Sequence, residues 1–381
     1  MNNSNGNGLT GFHDRYDHEN IIEYTPEESH LMAEFEQCIN CGLCLSVCEI
    51  LFELMKSQEE FCGPRDIGIR LSRSVPDFWA TYDTIYYCTM CGACEAICPK
   101  QVPIPDIVAM IRNKIPRQVG AKVPTAPKVL LDNLKQTGNI YGEKIEPLEY
   151  RRANPEYVFF EGCVGNWLER ESVEKTLQLL DRLEVRFTTI DEVCCGGPTR
   201  VTGWPMVESL VEHNLEAILS TGTNKVITAC PRCYMTLLDH PGYSGKLEVQ
   251  HTTQFLSQFS WSALTDQTVT FHDPCELGRL MGEYNAPRMI IQQAIPNYVE
   301  MPANHENTIC CGAGGGVRGV YPRLSLQTAR TRVEEAINTG SQVLVTECAS
   351  CLHNFRNALR SRDNLEIFNL SEYLSILMQI K

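Results

Sequence analysis

Eighteen of the nineteen cysteines in this 381-residue chain fall into four groups, and the spacing inside each group says what it can hold. Two groups share one pattern: Cys38-x2-Cys41-x2-Cys44-x3-Cys48 and Cys88-x2-Cys91-x2-Cys94-x3-Cys98. A thiolate is both a metal ligand and a redox group. Three thiolates this close can wrap one face of an iron–sulfur cube, and a distant fourth closes it. Zinc also takes four cysteines, but a zinc ribbon shows two Cys-x2-Cys knuckles rather than two runs of four. Pro99 follows the second run, whereas Glu49 follows the first. Thirty-nine residues separate Cys48 from Cys88, which predicts a helical insertion between the runs.

The other two groups hold five thiols each. One is Cys163-x30-Cys194-Cys195-Gly196, continued by Cys230-Pro231-Arg232-Cys233. Its counterpart is Cys275-x34-Cys310-Cys311-Gly312, continued by Cys348-Ala349-Ser350-Cys351. A cubane or a tetrahedral zinc consumes four thiols, so the fifth is spare, bridging or catalytic. Adjacent cysteines point in different directions on an extended backbone and suit two irons, or one bridging and one terminal role. Gly196, Gly197, Gly312 and Gly314–Gly316 let the backbone approach a cluster or substrate closely. A phosphate loop is the other reading of Gly314–Gly316, but no Gly-Lys-Ser/Thr follows.

These thiols need a scaffold that repeats as they do. Thr221–Cys230 lines up with Thr339–Cys348, and Cys163, Cys194 and Cys195 line up with Cys275, Cys310 and Cys311. Two copies of roughly 110 residues indicate a duplicated unit, not a solenoid. The first copy reads as strands near Tyr157–Phe160, Val185–Ile190 and Val226–Thr228, with helical periodicity over Val173–Leu183 and Val207–Leu219. The second reads as strands near Thr268–Phe271, Tyr298–Met301 and Val343–Thr346, with helices near Pro287–Ala294 and Leu324–Ile337. This alternation predicts small parallel sheets with helices on their faces. The cysteines then fall beyond the C-terminal ends of the strands, where ligands of open α/β sheets bind.

The predicted organisation is an α+β and α/β chain in five parts. Residues 1–29 are a flexible N-terminal arm, 30–112 a helical module with two clusters, and 113–156 a connector. Residues 157–262 and 263–381 are the two repeats. The connector carries eight Lys and Arg against five Asp and Glu and contains a short helix near Pro127–Lys135. It reads as a solvated linker, or else as a docking strip for an acidic partner.

Composition narrows the function. Nineteen is odd, so complete disulfide pairing is impossible. The first residues lack a basic and apolar leader, and no run approaches the length of a membrane helix. A reduced, cytoplasmic location is therefore expected. The net charge of −14 argues against nucleic acid but leaves room for a small anionic substrate in a local positive pocket.

Cys62 fits none of the groups and reads as a buried small hydrophobe or a cluster neighbour. His251 stands at a strand-to-helix step, suited to capping or to proton delivery. His272 lies close to Cys275 in sequence, as a proton donor or a hydrogen-bonded structural histidine. Arg232, Arg279 and Arg318 lie near cluster cysteines, where they could bind a sulfonate or phosphate or offset thiolate charge.

The first pair of runs resembles the two-cluster 4Fe–4S ferredoxins, in which the fourth cysteine of each run serves the other cluster. That resemblance implies one cubane on Cys38, Cys41, Cys44 and Cys98, and another on Cys88, Cys91, Cys94 and Cys48. The five-thiol groups resemble the CCG domains of heterodisulfide reductases, as do His272–Arg279 and Cys310–Gly316. A two-cluster module followed by two such domains is similar to the fused catalytic subunit of the membrane-associated enzymes. The resemblance implies two noncubane 4Fe–4S clusters, held by all ten repeat cysteines and flanking the disulfide of coenzyme M and coenzyme B. It further implies electrons from a membrane cytochrome b or a soluble flavoprotein, with the chain at the membrane through that partner. The iron–sulfur subunits of glycolate, lactate and glycerol-3-phosphate dehydrogenases share the architecture and only relay electrons. That is the alternative function.

Overall fold

The computed structural model describes residues 25–56, 63–65, 84–117 and 123–379. The proposed N-terminal arm, apart from its last residues, and Cys62 lie outside the described residues.

The first module is helical. Helix α1, Pro26–Glu36, is tied by Glu28 to Lys114 (2.7 Å). Helix α2, Glu49–Lys56, begins directly after Cys48, and the glutamate that replaces proline there occupies its acidic first turn. A single turn, α3, spans Ala93–Ala96. Helix α4, Ile104–Lys114, buries Ile107, Val108 and Ile111 against Ile85 and Tyr86. Asn40 and Met90 occupy the same position in the two cysteine runs, and both have positive φ. The chain thus makes the same tight bend twice.

The connector is structured. Helix α5, Thr125–Thr137, ends on Gly138 in the left-handed conformation that C-terminal caps favour. It is longer at both ends than the periodicity predicted.

Each repeat is a parallel sheet. The first contains β1 (Tyr157–Phe160), helices α6 (Cys163–Leu168) and α7 (Arg170–Arg182), and β2 (Phe187–Thr188). Helices α8 (Gly197–Thr202) and α9 (Glu208–Leu219), β3 (Lys225–Thr228), α10 (Pro231–Asp239), β4 (Glu248–His251) and α11 (Thr252–Leu256) follow. The strand order is β2-β1-β3-β4, with Phe159 opposite Ile227. The second repeat runs β5 (Val269–Phe271), α12 (Asn285–Ala294), α13 (Val317–Val320), α14 (Pro322–Asn338) and β6 (Val343–Thr346). It ends with α15 (Ala349–Ala358), β7 (Glu366–Asn369) and α16 (Leu370–Leu377). Its order, β5-β6-β7, matches β1-β3-β4. The central strands are apolar runs buried on both faces, as parallel sheets require.

Two expectations change. The run near Tyr298–Met301 is not a strand: Tyr298 makes a single bridge to Val269, and Pro302, which has no N–H, follows at once. The run near Val185–Ile190 contracts to Phe187–Thr188. Strands β4 and β7, which the sequence pattern does not mark, complete the sheets.

The two repeats share one core. Phe159, Leu177 and Ile227 belong to the same buried cluster as Phe271, Ile291 and Val345, and α7 packs on α16. Polar contacts reinforce the seam. Glu169 accepts from His353 (2.6 Å) and Arg356 (2.5 Å), and Thr252 donates to Glu347 (2.8 Å). Among the described residues no helix is long and apolar enough to cross a membrane.

Candidate active site

Four strands lead into cysteines. β1 leads through Gly162 to Cys163, β3 runs into Cys230, β5 leads to Cys275, and β6 runs into Cys348. Gly162 sits at φ 76°, and a Cβ there would lie 3.1 Å from the Cys233 sulfur. Cys233 and Cys351 occupy the first turns of α10 and α15.

Within each repeat the five thiols touch in one continuous order. In the first the order is Cys163, Cys194, Cys195, Cys233, Cys230, with Cys163 and Cys194 sulfurs 3.7 Å apart. In the second it is Cys275, Cys310, Cys311, Cys351, Cys348, with Cys311 and Cys351 sulfurs 3.2 Å apart. The central thiol receives hydrogen bonds from both sides. Those from Cys194 and Cys233 draw Cys195 well below the usual thiol range. Those from Cys310 and Cys351 draw Cys311 down to about 5. Their neighbours are pushed up: Cys233 and Cys351 chiefly by their hydrogen bonds to the central thiols, Cys194 chiefly by its contact with Cys163 and then by that with Cys195.

Both sets open on one cavity of about 760 Å³, a size suited to a small organic ligand. Cys163, Cys195, Cys230 and Cys233 line it from one repeat, and Cys275, Cys311, Cys348 and Cys351 from the other. Cys194 and Cys310 face away, so the adjacent cysteines do point in different directions. Helix α5 forms the far wall with Pro127, Val129 and Leu130, followed by Ile140 and Tyr141. The connector is therefore part of the cavity, not only a surface linker. Buried carboxyls brace the loop before Cys163: Glu192 accepts from the backbone N–H groups of Glu161 (2.8 Å) and Gly162 (2.7 Å). Burial and the nearby Glu161 push Glu192 well above the carboxylate range.

The cysteines of the helical module line two smaller cavities. Cys38, Cys41, Cys44 and Cys98 share one of about 30 Å³. Cys48, Cys88, Cys91 and Cys94 share another of about 40 Å³, and Cys310 of the second repeat also lines it. This grouping exchanges the fourth cysteine of each run, as the ferredoxin resemblance implies. Burial holds Cys88 up at about 11, and burial with Cys38 and Cys41 holds Cys44 up at about 11. The donors are all thiols, arranged around spaces. Among the described residues no three Cys, His, Asp or Glu side chains converge as a single ion would require. Multi-iron clusters fit such donor sets better than lone zinc.

The four additional candidates divide. Arg318 lines the large cavity and has no ion-pair partner among the described residues, with Tyr141 and Cys311 nearby. Arg232 lines it too, but Glu276 pairs with it and cancels its charge. Arg279 does not line it. Its guanidinium donates to the carbonyls of Glu306 (2.9 Å), Cys91 (2.7 Å) and Thr308, which turns it toward the helical module and away from the large cavity. His272 is also outside: its Nδ1 accepts from Arg332 (3.0 Å) and its ring edge meets Phe355. Burial and the two arginines Arg332 and Arg279 hold its pKa well below the usual imidazole range. His251 caps α11. The glycines at 314 and 315 line the large cavity and also pack on the first module: Cβ atoms there would lie 2.6 Å from Thr89 O and 2.3 Å from Cys88 O.

Two cavity residues carry no sequence signal. Tyr141 lies in a connector without periodicity, and burial with the nearby Cys163 pushes its phenol well up. Glu276 was visible only as the residue after Cys275.

Comparison with known proteins agrees with this layout. Residues 34–102 match the family described as 4Fe-4S dicluster domain, and residues 157–238 and 269–356 the one described as Cysteine-rich domain. The chain is 30% identical to the D subunit of the dihydromethanophenazine:CoB–CoM heterodisulfide reductase of Methanosarcina acetivorans, over 88% of this chain and 91% of that one. It is 27% identical to an EtfAB:quinone oxidoreductase of Syntrophomonas wolfei, over 77% of this chain and 46% of that one. A crystal structure of a hypothetical protein from Helicobacter pylori has the same fold, with a TM-score of 0.60 at 11% identity, over 97% of this chain and 75% of that one. With its dicluster module and two cysteine-rich domains in that order, the chain belongs to the iron–sulfur oxidoreductase family of the heterodisulfide reductase D subunits.

Proposed function

We propose that this chain reduces a disulfide to two thiols, and that the disulfide is that of coenzyme M and coenzyme B. One observation carries the reading: two five-thiol sets, in the same internal order, open with their central thiols Cys195 and Cys311 on one cavity. The reaction takes up two electrons and two protons for one S–S bond broken. The ten repeat cysteines would hold two noncubane 4Fe–4S clusters, which when bound would supply those electrons one at a time.

The surrounding residues have separate parts. The wall from α5 gives the cavity an apolar side against which the carbon skeleton of a substrate can pack. Arg318, without an ion-pair partner among the described residues, binds an anionic group of the substrate, whereas the Arg232–Glu276 pair presents little net charge. Tyr141 keeps its phenolic proton and offers it as a hydrogen bond. The cysteines of the helical module, in the exchanged sets of four, hold two cubanes on the input side. The donor is a membrane cytochrome b subunit or a soluble flavoprotein, and the chain works in the cytoplasm, at the membrane through that partner.

The relative named as an EtfAB:quinone oxidoreductase favours a second reading, in which the chain relays electrons for a flavoprotein. Anaerobic reconstitution with iron and sulfide, then reduced viologen with the coenzyme M–coenzyme B disulfide, separates the two. Disulfide-dependent dye oxidation is expected. A fully clustered protein that leaves the dye reduced belongs to the relay reading.

A further inference from the structure

Arg112 is a buried cation without a carboxylate. It is 0% exposed, and among the described residues no Asp or Glu pairs with it. Its guanidinium uses every donor on backbone carbonyls. Nε and Nη2 reach Ile85 O (3.2 and 2.7 Å), Nη2 also reaches Cys88 O (2.6 Å), and Nη1 reaches Val201 O and Gly315 O (2.6 Å each). Those carbonyls come from the helical module, the first repeat and the second repeat. The Tyr86 ring lies beneath it, 5.0 Å away.

Carbonyls satisfy hydrogen bonds but do not cancel a full charge. Burying an unpaired guanidinium costs several kcal/mol, on the order of a buried ion without its partner. Its natural counter-charge is at hand: Arg112 bonds the carbonyl of Cys88, one of the four thiols around the cavity that Cys310 also lines. Arg279 does the same from the second repeat, donating to the carbonyl of Cys91 (2.7 Å), and it too has no carboxylate among the described residues. Two guanidiniums thus reach the backbone of two neighbouring thiols in one group of four.

We propose that Arg112, seconded by Arg279, is the fixed counter-charge of the centre held by Cys48, Cys88, Cys91 and Cys94, and that it raises that centre's reduction potential. This rests on the reading of those four cysteines as cubane ligands. Reduction adds one electron and one negative charge, with no bond made or broken. A cation fixed nearby in a poorly screened interior favours the reduced form. The centre that borders Cys310 thereby becomes the place where an incoming electron settles, next to the second repeat. Arg112 acts on the centre through the charge it fixes, so it is a positioning residue.

The test is an EPR-monitored redox titration of the full chain, reconstituted with iron and sulfide, with dithionite as reductant. In Arg112→Gln, the midpoint of this centre falls by at least a tenfold change in its reduced-to-oxidised ratio, about 59 mV for a one-electron couple. The cubane on Cys38, Cys41, Cys44 and Cys98 keeps its potential. Arg112→Lys retains the charge and loses most of the hydrogen bonds, so it keeps the potential near that of the parent. A purely structural Arg112 predicts the opposite: both variants equally unstable, neither potential moved. An unmoved midpoint in Arg112→Gln, or a fall in Arg112→Lys as large, overturns the proposal. If Arg112→Gln does not load iron, Arg279→Gln takes its place and must lower the same midpoint. A parent chain without any cubane signal overturns the cluster reading itself, a result distinct from a loaded centre whose potential does not move.

Discussion

Cys91 of the helical module and Cys310 of the second repeat stand thiol to thiol. Cys310 also touches Cys275 and Cys311 of its own set, as its first-repeat equivalent Cys194 touches Cys163 and Cys195. The two repeats are therefore alike in their thiols and unlike in how those thiols meet the module that feeds them. The helical module packs on both repeats, through Val201 of the first and Gly315 of the second, but it brings a thiol into contact with the second set.

The central thiols carry the first prediction. Replacing Cys195 or Cys311 by serine removes the thiol that bridges its set while leaving the module cysteines untouched. Disulfide-dependent viologen oxidation falls by roughly a hundredfold or more, at or beyond the upper end of what even a supporting residue of a metal site costs. The cubane EPR signals persist. Retained turnover with a fully loaded variant is the opposing result.

Iron content tests how the module cysteines are shared. The parent chain binds about 16 Fe if all four sites hold four-iron clusters. Cys98→Ser disturbs the centre of Cys38, Cys41 and Cys44, and Cys48→Ser disturbs the centre of Cys88, Cys91 and Cys94. Each variant loses about 4 Fe and one of the two cubane signals, the two variants losing different ones. If Cys98→Ser removes the signal that Cys88→Ser removes, the runs are not exchanged.

Arg318 and Arg232 differ in a way kinetics can read. A charge-assisted hydrogen bond is worth about 1.5–3 kcal/mol. Arg318→Ala should therefore raise KM for an anionic disulfide by roughly 10- to 100-fold and change kcat less. Arg232→Ala has the smaller effect on KM, because Glu276 already holds that guanidinium. Steady-state titration of both variants against the same disulfide gives the comparison.

His251 makes stability depend on pH. Burial holds its pKa down to about 3, while its Nδ1 accepts from the Thr253 N–H and its own backbone N–H donates to Gln254 (3.0 Å). The unfolded chain binds a proton near pH 6.5 that the folded chain refuses. The contribution is complete above pH 6.5 and is lost as the pH falls toward 3. At about pH 5 the loss amounts to about 2 kcal/mol. His251→Asn keeps a capping side chain and removes the titration, so its unfolding free energy changes less between about pH 7 and 5. Parallel slopes in denaturant melts of the two proteins would count against this.

The cysteine groups were legible because cluster geometry imposes short, repeated spacings that little else produces. The central β-strands were legible as apolar runs, and α7, α9, α12 and α14 from their periodicity. Strands β4 and β7 were not: Glu248–His251 and Glu366–Asn369 alternate more exposed and buried residues over four positions, too few to stand out. Orientation was hidden as well. Arg279 and Arg318 are both a few residues from a cluster cysteine, yet one turns to backbone carbonyls and the other to the cavity. Arg112 gave no sign, because a cation near the end of a helix ordinarily faces water. Only the meeting of three parts of the chain at Gly315, Val201 and Cys88 encloses it.

Helix α5 contributes no thiol, and yet it closes one side of the cavity with Pro127, Val129 and Leu130. Part of what shapes the cavity thus sits on a stretch of the chain that carries no cysteine. A relative could exchange its preferred substrate through changes along Thr125–Thr137 alone, with every cysteine kept. Two proteins with the same cysteines need not share an appetite, and this short helix is where their tastes would part.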